Sequence, residues 1–197
     1  MIHPSYWRGK NCRIETYGPQ WVPQLRQFCE EIQDERVRWP AAENMKWPTL
    51  CEVLTTESRF VTGEFLLFFV NDQVAGVSGF HQSDIDPCTF VCGVRTYVKK
   101  EYRYFGVNSN FLLPYQLRES ARRGARQCLI VFNAYNKRIF LGFPSLTRTL
   151  RERTEIDLEV VPLAEAIVYR NVLQHALLIK LDKTYSFAVE RAYDGAV

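Results

Sequence analysis

The sequence predicts a mixed α/β fold in one domain, because hydrophobic periods typical of strands and of helices alternate along it. Its 197 residues are enough for one domain with its own core. Hydrophobic residues make up 47% and charged residues 24% of the chain, a balance that excludes disordered and low-complexity classes. The predicted order of elements is β-α-α-β-β-β-α-β-α-β-β, which defines the mixed class.

The first elements are a strand and two helices. Residues 12–17 alternate as a strand that ends at Gly18-Pro19. Apolar side chains then recur at helical spacing and predict an amphipathic helix, at Trp21, Leu25, Phe28, Cys29 and Ile32. Two Trp-Pro pairs follow, and Thr49 can cap a second, short helix.

The middle of the chain predicts three strands and a helix. Residues 64–70 and 74–80 form a hairpin joined by Asn71-Asp72-Gln73, and residues 88–98 form a third strand. A helix follows over residues 107–123, with Gly124 as its C-terminal cap.

The last part begins with a buried strand at residues 127–133 and a short helix at 136–141. We expect an irregular stretch from there to about residue 164. Two final strands, at 165–171 and 175–182, can pair as a hairpin.

No apolar segment approaches the ~20 residues of a bilayer span, and the N-terminus lacks the apolar core of a signal peptide. We therefore expect a cytoplasmic protein with no membrane partner.

The six cysteines are dispersed in mostly apolar segments, which favours buried free thiols. The three histidines are scattered and no second Cys/His pair accompanies Cys88 and Cys92, so we expect no metal site.

The segment that carries chemistry begins at Val98, where a strand ends in a turn with Arg103 and Gly106 and a helix begins. Backbone N–H groups at a helix N-terminus are unsatisfied and partly positive, and a glycine lets the backbone approach a phosphate. The turn can therefore hold an anion, although an ordinary strand-to-helix connection also explains one arginine and one glycine.

Basic residues are concentrated around this turn. The formal net charge is only +3, but residues 95–126 hold eight basic residues against two acidic ones. Such a field steers a multiply charged phosphate ligand toward the turn. No nucleic-acid module accompanies the charge, so we do not expect a nucleic-acid partner.

The element order and the turn resemble the GCN5-related N-acetyltransferase (GNAT) superfamily. Its signature is Val-x-Pro-x-Tyr-Arg-x-x-Gly-x-Gly/Ala, and the matching positions are Val98, Tyr102, Arg103 and Gly106. Leu141-Gly142-Phe143 is similar to the Gly-Phe that closes the family's fourth helix. The resemblance implies a mostly antiparallel central sheet flanked by helices.

The resemblance also implies a domain organisation, with an N-terminal arm at residues 1–11, the GNAT-like domain at 12–183 and a C-terminal tail at 184–197. In this fold, the segment with Trp39, Met45 and Trp47 would border the acceptor pocket and could form an apolar wall for a substrate or a docking surface, although packing of a helix against the sheet also explains these residues.

The resemblance further implies an acetyl-CoA site. Backbone amides of the turn would hold the pyrophosphate of coenzyme A, and the pantetheine arm would lie between splayed fourth and fifth strands. The implied contact residues are Tyr97, Val98, Arg103, Tyr104, Phe105, Gly106, Val107, Asn108, Asn133 and Asn136. The implied reaction moves an acetyl group to a primary amine of a small molecule or a protein, by direct attack on the thioester.

Acyl transfer to an amine requires a base for the amine and an acid for the leaving thiolate. The strand 88–98 has no carboxylate, so the family's common base position is empty. His81, Asp84 and Asp86 in or near the preceding loop are candidate bases, and Tyr135 is the candidate acid.

The turn and the strand order favour the enzyme, but several departures from the family pattern motivate a second hypothesis. Asn108 replaces the second Gly/Ala, Pro114 lies inside the helix, and Phe140 falls where many members place a tyrosine. Together with the empty base position and the long connection over 144–164, these departures are consistent with a catalytically silent GNAT-fold domain. Such a domain would be a structural or assembly component, for example a phage-encoded virion protein, and would self-associate or join a larger assembly.

Overall fold

An eight-stranded sheet lies at the centre of the structure, a computed structural model that describes residues 4–32, 63–133, 143–163, 167–169 and 172–185. The strands are β1 Cys12–Thr16, β2 Gly63–Val70, β3 Gln73–Gln82, β4 Thr89–Val98, β5 Gln127–Asn133, β6 Glu159–Pro162, β7 Ile167–Tyr169 and β8 Val172–Lys180. Their order is β1-β2-β3-β4-β5-β8-β6, with β7 also paired to β8. Only β4 and β5 pair in parallel among the described strands, which confirms the mostly antiparallel sheet.

Three α-helices and several shorter turns flank the sheet in the described residues. The helices are α1 Val22–Ile32, α2 Leu113–Arg122 and α3 Phe143–Thr154. The shorter pieces are 3₁₀ turns at Pro4–Trp7, Pro19–Trp21 and Lys100–Phe105, and a π-helix at Asn108–Leu112. The predicted short helices after Thr49 and at 136–141, and the Trp-Pro segment, lie outside the described residues.

The two faces of the sheet bury alternate residues of each strand. On one face, Leu66, Phe68 and Phe80 pack with the buried residues of α2 and α3. On the opposite face, Phe65, Leu67 and Phe69 pack against α1. The buried residues of α1 are Leu25, Phe28, Cys29 and Ile32, which are the positions that the helical spacing predicted.

The β2–β3 hairpin has a tighter turn than the sequence predicted. Val70 pairs with Gln73, so the loop consists of Asn71 and Asp72 alone, with φ of 48° and 67°. Asparagine and aspartate tolerate this left-handed backbone, which matches the twist of the flanking strands.

The helix predicted over 107–123 is present, but its first turn is a π-helix. The Leu113 N–H bonds to the Asn108 carbonyl, five residues earlier. Pro114 therefore falls in the first turn of α2, where a missing N–H is tolerated. Gly124 ends the helix as predicted, with φ of 87° and an N–H that donates to the Ala121 carbonyl.

The prediction of an irregular stretch up to residue 164 is wrong, because α3 and β6 lie within it. The inward face of α3 is narrow: Leu150 and Thr154 are buried, and Leu146 packs against the same core. The other α3 positions are largely polar and basic, so the apolar period is too sparse to be recognised in the sequence.

Among the described residues, no helix combines the length and the apolar character that a bilayer crossing requires. The five described cysteines are free thiols, and Cys29, Cys92 and Cys128 are buried in the core.

Candidate functional site

β4 and β5 are paired along only part of their length. Their parallel register runs from Thr89 opposite Gln127 to Cys92 opposite Ile130, whereas β4 continues to Val98 and β5 to Asn133. We call the gap between residues 93–98 of β4 and 131–133 of β5 the split. The β4–β5 ladder does not continue across the split, so an extended ligand can lie between the two strands.

A bulge in β4 opens the split. Gly93 and Arg95 have φ of 74° and 52°, and the register between β3 and β4 shifts at this point. A left-handed residue in a strand bends it away from its neighbour. Glycine adopts this backbone at little cost, whereas Arg95 is held there against a strain of about 1–2 kcal/mol.

A buried glutamine satisfies the backbone at the bulge. The Gln116 side chain is fully buried in α2; its Oε1 accepts a hydrogen bond from the Gly93 N–H at 2.9 Å. Its Nε2 donates to Ser78 Oγ at 2.8 Å and to the Gly79 carbonyl at 3.2 Å. Ser78 Oγ in turn lies 2.6 Å from Thr96 Oγ1. We call Gln116, Ser78, Thr96 and the backbone of Gly79 and Gly93 the Gln116 cluster.

The wide end of the split meets the turn that the sequence singled out. After β4 the chain makes a 3₁₀ turn, Gly106 takes φ of 68°, and the helix begins. The Asn110 N–H bonds to the Gly106 carbonyl at 2.8 Å. The N–H groups of residues 107–109 therefore precede the first intrahelical donor and point out of the helix end. We call residues 103–109 the Gly106 turn.

The Gly106 turn needs its glycine. A Cβ at this position would collide with the Asn110 amide and lie 3.2 Å from Ser109 Oγ. The Val107 side chain is buried in the core and anchors the turn. Asn108 Oδ1 is buried with no hydrogen-bond partner among the described residues, which is unusual for a polar atom. It is therefore a candidate acceptor for a hydrogen bond from a ligand or a water molecule.

Arg103 holds the turn against the end of β4. Its Nε donates to the Val98 carbonyl at 2.9 Å and its Nη2 to Tyr97 Oη at 2.6 Å. The guanidinium also lies 5.0 Å from the centre of the Tyr97 ring. The structure thus brings these three predicted residues together, with the Arg103 side chain in a positioning role.

The N-terminal segment lies against the same turn, which the sequence did not indicate. Trp7 Nε1 donates to the Phe105 carbonyl at 3.1 Å, and the Tyr6 ring stacks on the Phe105 ring at 3.4 Å between centroids. Lys10 Nζ lies 3.3 Å from the centre of the Tyr6 ring. Trp7 also packs edge-on against Phe111 at 5.1 Å. The sequence feature that could have indicated this contact is the adjacent aromatic pair Tyr6-Trp7.

Among the described acid–base candidates, His81 lies nearest to the split by strand register. It is buried on β3 and pairs with Val91, two residues before the bulge. His81 Nδ1 lies 2.7 Å from the Gln82 carbonyl oxygen. Because a carbonyl only accepts, Nδ1 carries the proton and Nε2 is the basic nitrogen of the neutral ring.

The two aspartates lie farther from the split, in the connection from β3 to β4. Asp84 is exposed. Asp86 is buried and accepts hydrogen bonds from Thr89 Oγ1, the Cys88 N–H and Tyr185 Oη. Burial alone would raise the pKa of Asp86, but these hydrogen bonds outweigh it and lower the pKa. Asp86 therefore organises its loop as a carboxylate.

The remaining predicted residues are only partly described. Asn133 ends β5 opposite Gln174, at the wide end of the split. The Tyr104 side chain is outside the description, as are Tyr135, Asn136, Phe140 and Leu141-Gly142. Among the described side chains, no group of three His, Cys, Asp or Glu residues could hold a metal ion.

The basic field around the turn is weaker than the residue count suggested. Lys99 forms an ion pair with Glu31, Arg123 with Glu64, and Arg126 with Asp182, at 2.6 Å for the last pair. These three acidic residues lie outside residues 95–126, so the fold neutralises much of the local excess. The backbone of the Gly106 turn, rather than a cluster of side-chain charges, is the main feature for an anion.

The overall fold is similar to that of solved acetyltransferase structures. The GNAT domain of S. lividans PAT matches with a TM-score of 0.59 at 14% identity, over 88% of this chain and 98% of its own. The yncA protein of Salmonella typhimurium, named as an acetyltransferase and solved with acetyl-CoA, matches with a TM-score of 0.56 at 15% identity, over 89% and 96%. The ribosomal-protein-S18-alanine N-acetyltransferase of Escherichia coli matches with a TM-score of 0.54 at 11% identity, over 90% and 100%.

These likenesses establish the fold of the chain. No family model matches the sequence, and the search of curated proteins finds no match. The chain therefore has the GNAT fold, at sequence identities too low to transfer the activity of any of these proteins directly.

Proposed function

We propose that this protein is an acetyl-CoA-dependent N-acetyltransferase, which moves the acetyl group of the thioester to a primary amine. The observation that supports it most is the junction of the split with the Gly106 turn. The Gly106 turn offers N–H donors for a diphosphate, and the split offers space between two strands for an extended chain that contains amides.

The residues present fit coenzyme A. The pyrophosphate would be held by the N–H groups of Val107, Asn108 and Ser109, because Gly106 has no Cβ to block their approach. The pantetheine arm would lie in the split beside Tyr97 and Val98. When bound, acetyl-CoA supplies the activated acyl carbonyl, and its thioester end would lie toward the narrow end of the split at Gly93.

Direct attack by the amine is the mechanism that the local chemistry favours. Cys92 and Cys128 are the thiols nearest to the narrow end, and both are buried. Burial raises the pKa of Cys128 well above its ordinary value. A buried, protonated thiol is a poor nucleophile, so an acyl-enzyme on Cys128 is disfavoured.

We assign the role of general base to His81. β4 contains no carboxylate, and the register places His81 one strand away from the bulge with Nε2 as its basic nitrogen. Asp84 is exposed beyond the strand end and is the weaker candidate. Tyr135 is kept as the acid that protonates the leaving thiolate, as the sequence predicted.

The acceptor is a primary amine of a small molecule or a protein. The E. coli structure named above is, by its title, an enzyme that acts on an alanine of ribosomal protein S18. That likeness makes peptides with a free N-terminal amine suitable first probes. The catalytically silent alternative has less support, since Pro114 is accommodated by the π-helical turn and the 144–164 connection contains α3 and β6.

Two measurements on the purified protein test the proposal. We expect coenzyme A to bind in titration calorimetry and raise the melting temperature, and we expect thiol release from acetyl-CoA to depend on an added amine. Replacement His81→Gln should lower kcat by about 100-fold without changing the KM for acetyl-CoA, whereas the control Asp84→Asn should change neither. Absence of both binding and thiol release would refute the proposal, and binding without turnover on any amine would favour the silent alternative.

A further inference from the structure

We propose that Gln116 is the positioning residue that keeps the split open and thereby forms the slot for the pantetheine arm. The inference rests on the proposed function. It concerns the residue that controls the width of one of the two halves of the coenzyme A site. Coenzyme A has a nucleotide half with the pyrophosphate and a pantetheine half. The Gly106 turn is suited to the first, and the Gln116 cluster controls the second.

The bulge in β4 removes backbone groups from the hydrogen-bond ladders of the sheet. Gly93 is the first β4 residue after the last pair with β5, so its N–H leaves the ladder at a half-buried position. Gly79 lies opposite the bulge on β3, where the register shifts. A buried N–H or C=O without a partner is strongly unfavourable, and a strand would normally avoid it by staying in register.

One side chain satisfies both groups. Gln116 accepts from the Gly93 N–H at 2.9 Å and donates to the Gly79 carbonyl at 3.2 Å, while its second amide hydrogen bonds to Ser78 Oγ at 2.8 Å. The amide thus uses its acceptor and both donors within the cluster. An apolar side chain of the same size offers none of these bonds.

Without the Gln116 amide, the Gly93 N–H would lack a hydrogen-bond acceptor, and β4 would regain one at the lowest energy by moving toward β5. β5 is the adjacent strand: a Cβ at Gly93 would lie 3.5 Å from Ile130 Cγ2. Extending the parallel ladder past Cys92 would give the Gly93 N–H a backbone acceptor and narrow the split. The Gly106 turn lies beyond Val98, and its Val107 side chain is anchored in the core away from the bulge, so the turn would keep its geometry.

The test compares two ligands on the intact protein by titration calorimetry. Coenzyme A carries both halves, and adenosine 3′-phosphate 5′-diphosphate carries the pyrophosphate half alone. In Gln116→Leu we expect the affinity for coenzyme A to fall at least about tenfold, and the affinity for the fragment to stay within about twofold of the wild type.

Gln127→Leu is the matched control. Gln127 is also a fully buried glutamine and donates to Thr89 Oγ1 at 2.8 Å, but it lies where β4 and β5 are paired. We expect this variant to lose stability without changing the ratio of the two affinities. If Gln116→Leu does not fold, Ser78→Ala removes one bond of the cluster and should produce a smaller change in the same ratio.

The outcomes separate the inference from the proposed function. Unchanged affinity for coenzyme A in folded Gln116→Leu overturns the inference, and so does an equal loss for both ligands. The inference is also overturned if Gln127→Leu changes the ratio as much as Gln116→Leu. A wild-type protein that binds neither ligand refutes the proposed function itself.

Discussion

Gly106 and Gly124 have the same left-handed backbone at the two ends of one helical segment, with φ of 68° and 87°. Their surroundings differ, since a Cβ at Gly124 would meet nothing within 4 Å, whereas one at Gly106 would collide with the Asn110 amide. Replacing either glycine by alanine should cost about 1–2 kcal/mol in free energy of unfolding, because alanine is strained in this conformation.

Only Gly106→Ala should weaken coenzyme A binding, by at least about tenfold, because its Cβ would displace the Asn110 and Ser109 side chains at the turn that we propose holds the pyrophosphate. Urea unfolding measures the stability of both variants and calorimetry measures their affinity for coenzyme A. Equal affinities in Gly106→Ala and Gly124→Ala would show that the Gly106 turn does not hold the ligand.

At the scale of residues, the sequence identified which positions belong to the candidate site better than it identified the contacts that their side chains make. The signature located Arg103 and Gly106, but it did not indicate that Arg103 bonds to Val98 and Tyr97. The sequence did not indicate Gln116, because a single polar residue in a helix is expected on the surface until the face of the helix that packs on the sheet is known. Its partner Gly93 is 23 residues away, and local periodicity gives no information on contacts at that separation.

At the scale of elements, the C-terminal end of α2 is fixed to the sheet by an ion-pair network. Glu119 accepts from Arg122 at 2.7 Å and from Arg123 at 2.8 Å, and Arg123 also pairs with Glu64 on β2. Hydrogen bonds from Arg122 and then Arg123 lower the pKa of Glu119 from 4.5 to about 2, against the opposing effect of burial. The Glu119 carboxylate therefore stabilises the folded state when it is ionised.

The sign of the pH dependence follows from this lowered pKa. The contribution of Glu119 is fully present above pH 4.5, its ordinary pKa, and is lost as the pH falls toward its folded pKa of about 2. Glu119→Gln should thus cost about 1 kcal/mol of unfolding free energy at pH 7, and this difference should shrink as the pH falls from 4.5 to about 2.

Denaturant unfolding of the wild type and of Glu119→Gln at several pH values measures the effect. Glu152→Gln, at an exposed position on α3, is the control and should cost nothing measurable. A Glu119→Gln difference that stays constant over this pH range would mean that the ion pairs of Glu119 do not stabilise the fold.

Elements with strong periodicity were predicted well, and those with sparse patterns were not. The spacing of Leu25, Phe28 and Ile32 located α1, and β5 begins and ends where the sequence placed it. α3 was missed because few of its positions reach the core. The π-helical turn could not be foreseen from Pro114 alone, since proline shows that a regular helix is interrupted but not how the chain accommodates it.

At the scale of the whole molecule, the mostly antiparallel class of the sheet could be predicted from the sequence, but the split between β4 and β5 could not. Strand periods and the resemblance to GNAT proteins gave a mostly antiparallel sheet. The split depends on where the β4–β5 ladder stops, which is set by the bulge at Gly93 and by a side chain from another element. Such long-range pairings leave no local trace in the residue pattern.

The whole molecule also ties its two terminal segments to opposite ends of β4. Near the N-terminus, Trp7 Nε1 bonds to the Phe105 carbonyl at 3.1 Å, beside the Gly106 turn. Near the C-terminus, Tyr185 Oη donates to Asp86 at 2.8 Å, in the loop before β4. Burial, followed by this hydrogen bond, raises the pKa of Tyr185 to about 12, so the phenol stays protonated as a donor.

This arrangement predicts that one terminus affects the ligand site and the other does not. Trp7→Phe and Tyr185→Phe each keep an aromatic ring and remove one hydrogen bond, so each should lower the free energy of unfolding. Only Trp7→Phe should also weaken coenzyme A binding, by about threefold to tenfold, because the Phe105 carbonyl directly precedes Gly106 and loses its fixed position. Calorimetry and thermal unfolding on the two variants measure both effects, and an equal change of affinity in both would show that the N-terminal segment supports the fold as a whole rather than the turn.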